Sequence, residues 1–389
     1  MSKPALQQHE RYGWVVISIL RLSDIFVAFT GFTLGILLPD ITKEFSLSPV
    51  QQGILGTVFF LGFALFSLPT SLWLTRYSPR RVVLIAITGT SLLLFLQGWS
   101  PIFAVLLLGR FLFVVLAVSR SAPEVLLMSQ WFKPGQIALV NSFAFGVFGI
   151  GQTIGLLFAP FLLQALGSWR DVYYLFGLGL LGVALLWLLL GRERQGQETP
   201  ASRESLLAPA RRVLRRGDIW MLAACQVGAS VAFASYLIFW PTFMVEEHSF
   251  SLKQAGALLS LYAVGGIAGS FASGPISNLL RRRKSLIWPS GLALPLLYLG
   301  LLMFQSPLLL AILLFGAGFF AFVSGPIIVT IPFDLNLEPR EIAIAIALTR
   351  TLNPLGGAMG PFLVGAMQQL TGSLTWGLLI AVTFPITLL

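Results

Sequence analysis

Long apolar stretches alternate with short polar ones along the whole chain. A helix needs about 20 mostly apolar residues to cross ~30 Å of hydrocarbon. Runs of that kind occur at 14–38, 50–73, 82–99, 102–129, 137–162, 172–190, 219–243, 254–278, 285–304, 307–331, 342–367 and 374–389. The pattern predicts an all-α membrane protein with twelve transmembrane helices. The last run has only 16 residues, so its helix either stops early or lies partly in the interface. The first run, from Trp14, is long enough to span and lacks a cleavage site after it, so it reads as a retained helix.

The longest polar stretch separates two groups of six runs. The predicted organisation is a six-helix bundle over 1–190, a cytoplasmic linker over 191–217 and a second six-helix bundle over 218–389. Within the linker, Leu206, Leu207, Ala210, Val213 and Leu214 form one face and Arg211, Arg212, Arg215 and Arg216 the other. This predicts a short amphipathic helix on the inner leaflet. A plain basic linker is the simpler reading, and lipid sensing the alternative.

The two halves repeat each other weakly. Ser71-Leu-Trp-Leu-Thr75-Arg76-Tyr-Ser-Pro-Arg80-Arg81 closes the second run, and Gly274-Pro-Ile-Ser-Asn278-Leu-Leu-Arg281-Arg282-Arg283-Lys284 closes the eighth, 203 positions later. Ala159-Pro-Phe-Leu and Gly360-Pro-Phe-Leu stand 201 positions apart, in the fifth and eleventh runs. Matches at nearly one offset imply a duplication, with pseudo-twofold symmetry between the bundles.

Charge fixes the expected orientation. Loops on the side of the N-terminus carry eighteen basic residues, and those on the opposite side only Lys43, Arg170 and Lys253. Basic loops stay in the cytoplasm, so both termini are expected there, with the bacterial inner membrane as the expected location. The chain is 56% hydrophobic and 10% charged, whereas soluble domains are about 25% charged. The net charge of +10 therefore reflects loop topology, and no nucleic-acid partner is expected. A single cysteine, Cys225, excludes an intramolecular disulfide, and His9 and His248 fall outside the apolar runs. No metal or cofactor is expected, and an embedded enzyme or ATP-driven pump is disfavoured: there is no nucleophile with a base, no paired midplane carboxylates and no phosphate-cradling glycine loop.

Six charges lie inside the apolar runs: Arg21, Arg110, Arg120 and Arg350 against Asp24 and Glu124. A charge near the bilayer centre costs roughly 3 kcal/mol on insertion scales, so it has a partner or a task. The excess of two cations points to a small anionic substrate. Arg21 and Asp24 share one face of the first helix with Ala28, Gly31 and Gly35. Counted from Trp14, Arg21 lies ~10 Å and Asp24 ~15 Å deep. Asp24 is thus a candidate proton carrier near the midplane, or the structural partner of Arg21. Arg110, at medium depth, is a candidate substrate contact. Arg120 and Glu124, four residues apart, are expected near the inner surface as a gate or structural pair, with proton coupling through Glu124 as the transport alternative. Arg350 has no acid within a turn, so it either pairs across helices with Asp24 or Glu124 or waits for an anion. Tyr236 and Trp240 either stack on substrate or anchor the interface.

Taken together these features resemble the major facilitator superfamily. The superfamily's signature after the second helix is a glycine, an acid four residues on, then a basic cluster. Here Ser71 and Thr75 replace the glycine and acid, while Arg76, Arg80 and Arg81 keep the cluster. The second copy keeps Gly274, has Asn278 for the acid, and keeps Arg281, Arg282 and Arg283. Arg110 matches the superfamily's arginine in the fourth helix. Trp131-Phe132, the glycines Gly146, Gly149, Gly151 and Gly155, the Gly167-Ser-Trp169-Arg170 turn and Phe239-Trp240-Pro241-Thr242-Phe243 are similar to anion-cation symporters and nitrate- or cyanate-type porters. The resemblance implies alternating access by a monomer, proton coupling, and gating by Arg76, Arg80, Arg81, Arg120, Arg281 and Arg282. The Gly-Pro-x-x-Gly-Gly element of drug–proton antiporters is absent, Ala159-Pro160-Phe161-Leu162-Leu163 standing in its place. Efflux of amphiphilic or drug-like compounds is the alternative.

Overall fold

The computed structural model describes residues 3–74, 77–194, 207–280, 284–335 and 337–389. Its α-helices are α1 (Lys3–Phe32), α2 (Leu34–Phe45), α3 (Pro49–Leu74), α4 (Pro79–Trp99), α5 (Phe103–Ser119), α6 (Ser121–Trp131), α7 (Pro134–Leu166), α8 (Trp169–Leu190), α9 (Leu207–Leu214), α10 (Gly217–Glu246), α11 (Leu252–Leu280), α12 (Lys284–Met303), α13 (Pro307–Thr330), α14 (Pro339–Thr371) and α15 (Leu374–Thr383). Among the described residues, nine stretches are long and apolar enough to cross a membrane, and Ile287–Met303 and Leu374–Leu388 are shorter apolar helices. The predicted first and fourth spans are each broken. Thr33 separates α1 from α2, and Arg120 separates α5 from α6. Pro123 accounts for the second break: it has no N–H to continue the ladder to the carbonyl of Ser119. The ladder resumes where the Glu124 amide donates to the Arg120 carbonyl at 2.9 Å.

The duplication is written in the helix caps. α7 and α14 are both 33 residues long and start 205 positions apart. Each begins with an extended N-cap residue, a proline at the first helical position and a side chain that reaches back to the N-cap amide. Gln136 accepts from Lys133 at 3.1 Å, and Glu341 from Glu338 at 3.1 Å. Each ends on a left-handed glycine, Gly167 at φ 77° and Gly372 at φ 73°. The Pro-Phe-Leu match, at 201, therefore stands one turn differently within the two helices.

The chain forms two compact units. The first comprises Met1–Gly31, Leu65–Gly155 and Phe161–Ala201. There α4 packs on α8 around the buried Trp187, Tyr173 and Phe176. Ser91 donates to the Gly177 carbonyl at 2.7 Å, and the Trp187 indole donates to the Arg80 carbonyl at 3.0 Å.

The second unit comprises Phe32–Ala64, Leu156–Pro160 and Ser202–Leu389. Its helices meet backbone to backbone. A Cβ at Gly265 or Gly269 of α11 would collide with the Phe315 or Phe319 carbonyl of α13. One at Gly356 or Gly360 of α14 would meet the Val227 or Val231 carbonyl of α10. Helices in lipid lack a hydrophobic drive to associate, and small residues supply the close van der Waals contact instead. α2 joins the same unit through Gly35, which lies against the Leu237 and Ile238 carbonyls.

Candidate functional site

Arg21, Asp24, Arg120 and Glu124 form one buried cluster in the first unit. Arg21 and Asp24 lie one turn apart on α1, Arg120 stands at the α5–α6 break, and Glu124 sits in the first turn of α6. Arg21 Nη1 lies 2.5 Å from Asp24 Oδ2, and its Nη2 donates to Glu124 Oε2 at 2.6 Å. Arg120 Nη2 donates to Asp24 Oδ1, Nη1 to Ser23 Oγ, and Nε to the Ala117 carbonyl at 3.3 Å. The fourth edge is looser: Arg120 Nη1 and Glu124 Oε1 are 3.6 Å apart. All four residues are less than 10% exposed. Two cations face two anions, so the cluster is neutral, and each arginine touches both carboxylates.

Counted along their own apolar runs Asp24 and Glu124 fall at different depths, and in the structure both carboxylates lie against Arg120. Counting from the start of an apolar run locates a residue along its own helix only. The level at which two helices meet is set by packing.

Arg110 stands apart from the cluster, 2% exposed. Its Nη2 donates to the Gly31 carbonyl at 3.2 Å and its Nη1 to the Tyr173 hydroxyl at 3.5 Å. Gly31 lies in the last turn of α1, whose carbonyls lack helical partners, and a cation there also meets the negative end of the helix dipole. Arg350 belongs to the second unit, where its side chain is exposed and has no ion pair among the described residues.

Tyr236 and Trp240 are 2% and 0% exposed. The Tyr236 hydroxyl donates to the Tyr298 carbonyl at 3.0 Å, and the Trp240 indole to the Leu301 carbonyl at 3.3 Å. Both side chains fasten α10 to α12, and neither ring is presented to open space. Of the predicted gating arginines, Arg76, Arg281 and Arg282 lie outside the described residues. Arg80 donates from Nη2 to the Leu188 carbonyl at 3.0 Å, in the last turn of α8. The Arg81 amide donates to Ser78 Oγ at 3.4 Å.

Sequence reasoning missed three residues here. Glu193 accepts from Ser78 Oγ at 2.7 Å and from the Arg80 amide at 3.1 Å, placing a carboxylate beside a cluster whose own acid position holds Thr75. Its position just beyond α8 was the available signal. Ser23 and Tyr173, which hold Arg120 and Arg110, carried none, because polar residues of their kind are frequent in apolar runs.

Residues 22–361 match the family model of the Major Facilitator Superfamily. The chain belongs to that superfamily and is a multi-pass secondary transporter, not an enzyme. It is 27% identical to the uncharacterized MFS-type transporter YceJ of Bacillus subtilis (strain 168), over 90% of this chain and 89% of that one. Its identity to the probable sulfoacetate transporter SauU of Cupriavidus necator is 18%, over 95% and 90% of the two chains. With the probable nitrate/nitrite antiporter NarK1 of Thermus thermophilus it shares 27% over 72% and 64%. The fold is similar to the crystal structure of a bacterial homolog of the human lysosomal transporter Spinster, with a TM-score of 0.78 at 17% identity, covering 100% of this chain and 94% of that one.

Proposed function

We propose that this transporter moves a small organic or inorganic anion together with protons by alternating access. In this reading it works as a monomer in the bacterial inner membrane, with both termini in the cytoplasm. The observation that carries the proposal is the neutral, buried quartet of Arg21, Asp24, Arg120 and Glu124. An anion that draws Arg21 out of the neutral quartet leaves one carboxylate charge in excess in a buried cluster, at a cost of several kcal/mol. A proton taken up by one carboxyl removes that excess and frees an arginine for the anion. Binding of either species thus favours the other, which is the thermodynamic core of symport.

Glu124 is the better placed proton carrier. Both Asp24 oxygens are held by arginines, whereas Glu124 Oε1 has no hydrogen bond among the described residues. Protonating Glu124 releases Arg21 Nη2 while Asp24 keeps both guanidinium groups positioned. Arg21, Arg110 and Arg350 are the proposed anion contacts, since a guanidinium fork matches carboxylate, sulfonate or nitrate oxygens. Arg80, Arg81 and Arg120 are proposed to take part in gating. The named relatives support the substrate class: the sulfoacetate and nitrate/nitrite transporters both carry anions in their names. Thermal stabilisation of the purified protein by a panel of carboxylates, sulfonates, nitrate, nitrite, cyanate and phosphate tests this. Stabilisation by at least one anion, stronger at lower pH, is expected. Stabilisation by cationic amphiphiles alone would replace symport with efflux.

A further inference from the structure

The basic face of the linker helix is split in two. Arg212 donates to Glu341 at 2.5 Å and to Glu338 at 2.8 Å, both at the start of α14. Arg216 pairs with Asp218 at 2.5 Å. Those two arginines are neutralised by the protein's own acids. Arg211 and Arg215, one turn apart, are exposed and have no ion pair or hydrogen-bonded acid among the described residues. At 100° per residue Arg211 lies on the side of the helix away from Val213, and Arg215 is the turn residue that follows α9. Val213 is buried against Ile219 and Ala345, so Arg211 faces outward, and Arg215 beside it is likewise exposed.

Apolar surface adjoins these two arginines. Leu214 is 48% exposed, and Trp220 and Met221, in the first turns of the spanning helix α10, are 44% and 71% exposed. The Trp220 indole donates to the Leu214 carbonyl at 2.9 Å, fixing the end of α9 beside this surface. Exposed apolar side chains at the end of a spanning helix face lipid, and a tryptophan there sits at headgroup level. Two unneutralised guanidinium groups beside it meet the phosphate layer.

We infer that Arg211 and Arg215, with Leu214, Trp220 and Met221, form a binding site for the headgroup of an anionic phospholipid of the inner leaflet. The phosphate lies between the two guanidinium groups, and the glycerol and upper acyl chains lie along Trp220 and Met221. The site rests on the cytoplasmic placement of the linker and is independent of what the transporter carries. Because the other face of α9 is fastened to α14, the bound lipid holds α14 through α9.

Native mass spectrometry of the full chain in detergent, titrated with phosphatidylglycerol or phosphatidylcholine, tests the site. Phosphatidylglycerol should be retained preferentially. Replacing both arginines, Arg211→Gln with Arg215→Gln, should weaken its retention roughly thirtyfold, since each basic residue near an anionic surface is worth about a factor of five. Arg211→Lys with Arg215→Lys should keep most of it, and Arg212→Gln should leave it unchanged. Equal retention of both lipids, or unchanged phosphatidylglycerol retention in the glutamine double variant, would overturn the site. Displacement of the lipid by millimolar inorganic phosphate would show a plain anion site and overturn it as well. The readout needs neither substrate nor membrane orientation, so it fails or succeeds separately from the symport proposal.

Discussion

Arg21 Nη2 donates to Glu124 Oε2 at 2.6 Å, across 103 residues of sequence. That bond ties α1 to α6 and closes a ring in which each of two arginines touches both of two carboxylates. A cation and an anion held this way are mutually desolvated, so removing one strands the other. Breaking such a pair costs about 3–5 kcal/mol, although the intact pair stabilises the fold little.

The two carboxylates should therefore behave differently when neutralised. Glu124→Gln should abolish accumulation driven by a pH gradient in proteoliposomes while substrate exchange persists. Asp24→Asn should lower the thermal unfolding temperature in detergent more than Glu124→Gln, because Asp24 holds both guanidinium groups. Undiminished acid-driven accumulation in Glu124→Gln would remove this residue from the coupling step.

Neutralising Arg350 or Arg110, two of the proposed anion contacts, should weaken anion binding. A charge-assisted contact is worth about 1.5–3 kcal/mol, so Arg350→Gln is expected to raise the anion dissociation constant roughly tenfold to a hundredfold. Arg110→Gln should do the same and also destabilise the fold, since it leaves the Gly31 carbonyl without its donor. Lysine at either position should rescue in part, keeping the charge and losing the fork. Isothermal titration with the best-stabilising anion measures both effects; unchanged affinity in Arg350→Gln would exclude it as a contact.

The fastening of α9 to α14 should be pH-sensitive. The hydrogen bond from Arg212 holds the Glu341 carboxyl below the usual carboxylate range. A lowered folded pKa contributes stability above the ordinary value, which fades as pH falls through the lowered one. Distances between spin labels on α9 and α14 should stay constant near neutrality and broaden only below the carboxylate range. Glu341→Gln should broaden them at neutral pH.

Orientation has its own test. With both termini in the cytoplasm, single cysteines at Glu198 and Glu246 should label from opposite sides of the membrane in intact cells. Labelling from one side would refute the topology.

The sequence by itself determined the all-helical membrane class. Hydrophobic length, loop charge and helix-stop chemistry are local quantities, and the bilayer imposes them on each segment separately. The caps at Lys133-Pro134 and Glu338-Pro339, and the stops at Gly167 and Gly372, are local in the same sense, each closed by residues within four positions. Arg21 with Asp24 and Arg120 with Glu124 were visible as pairs on one helix. Only the tertiary structure decided that the two pairs are a single ring, that Arg110 reaches the end of α1, and that Tyr236 and Trp240 are buried against α12. Those facts depend on how far each helix turns and slides against its neighbour. In lipid, that choice is made by close backbone contact at glycines and by the high cost of an unpaired charge. Neither is written in the periodicity of one segment.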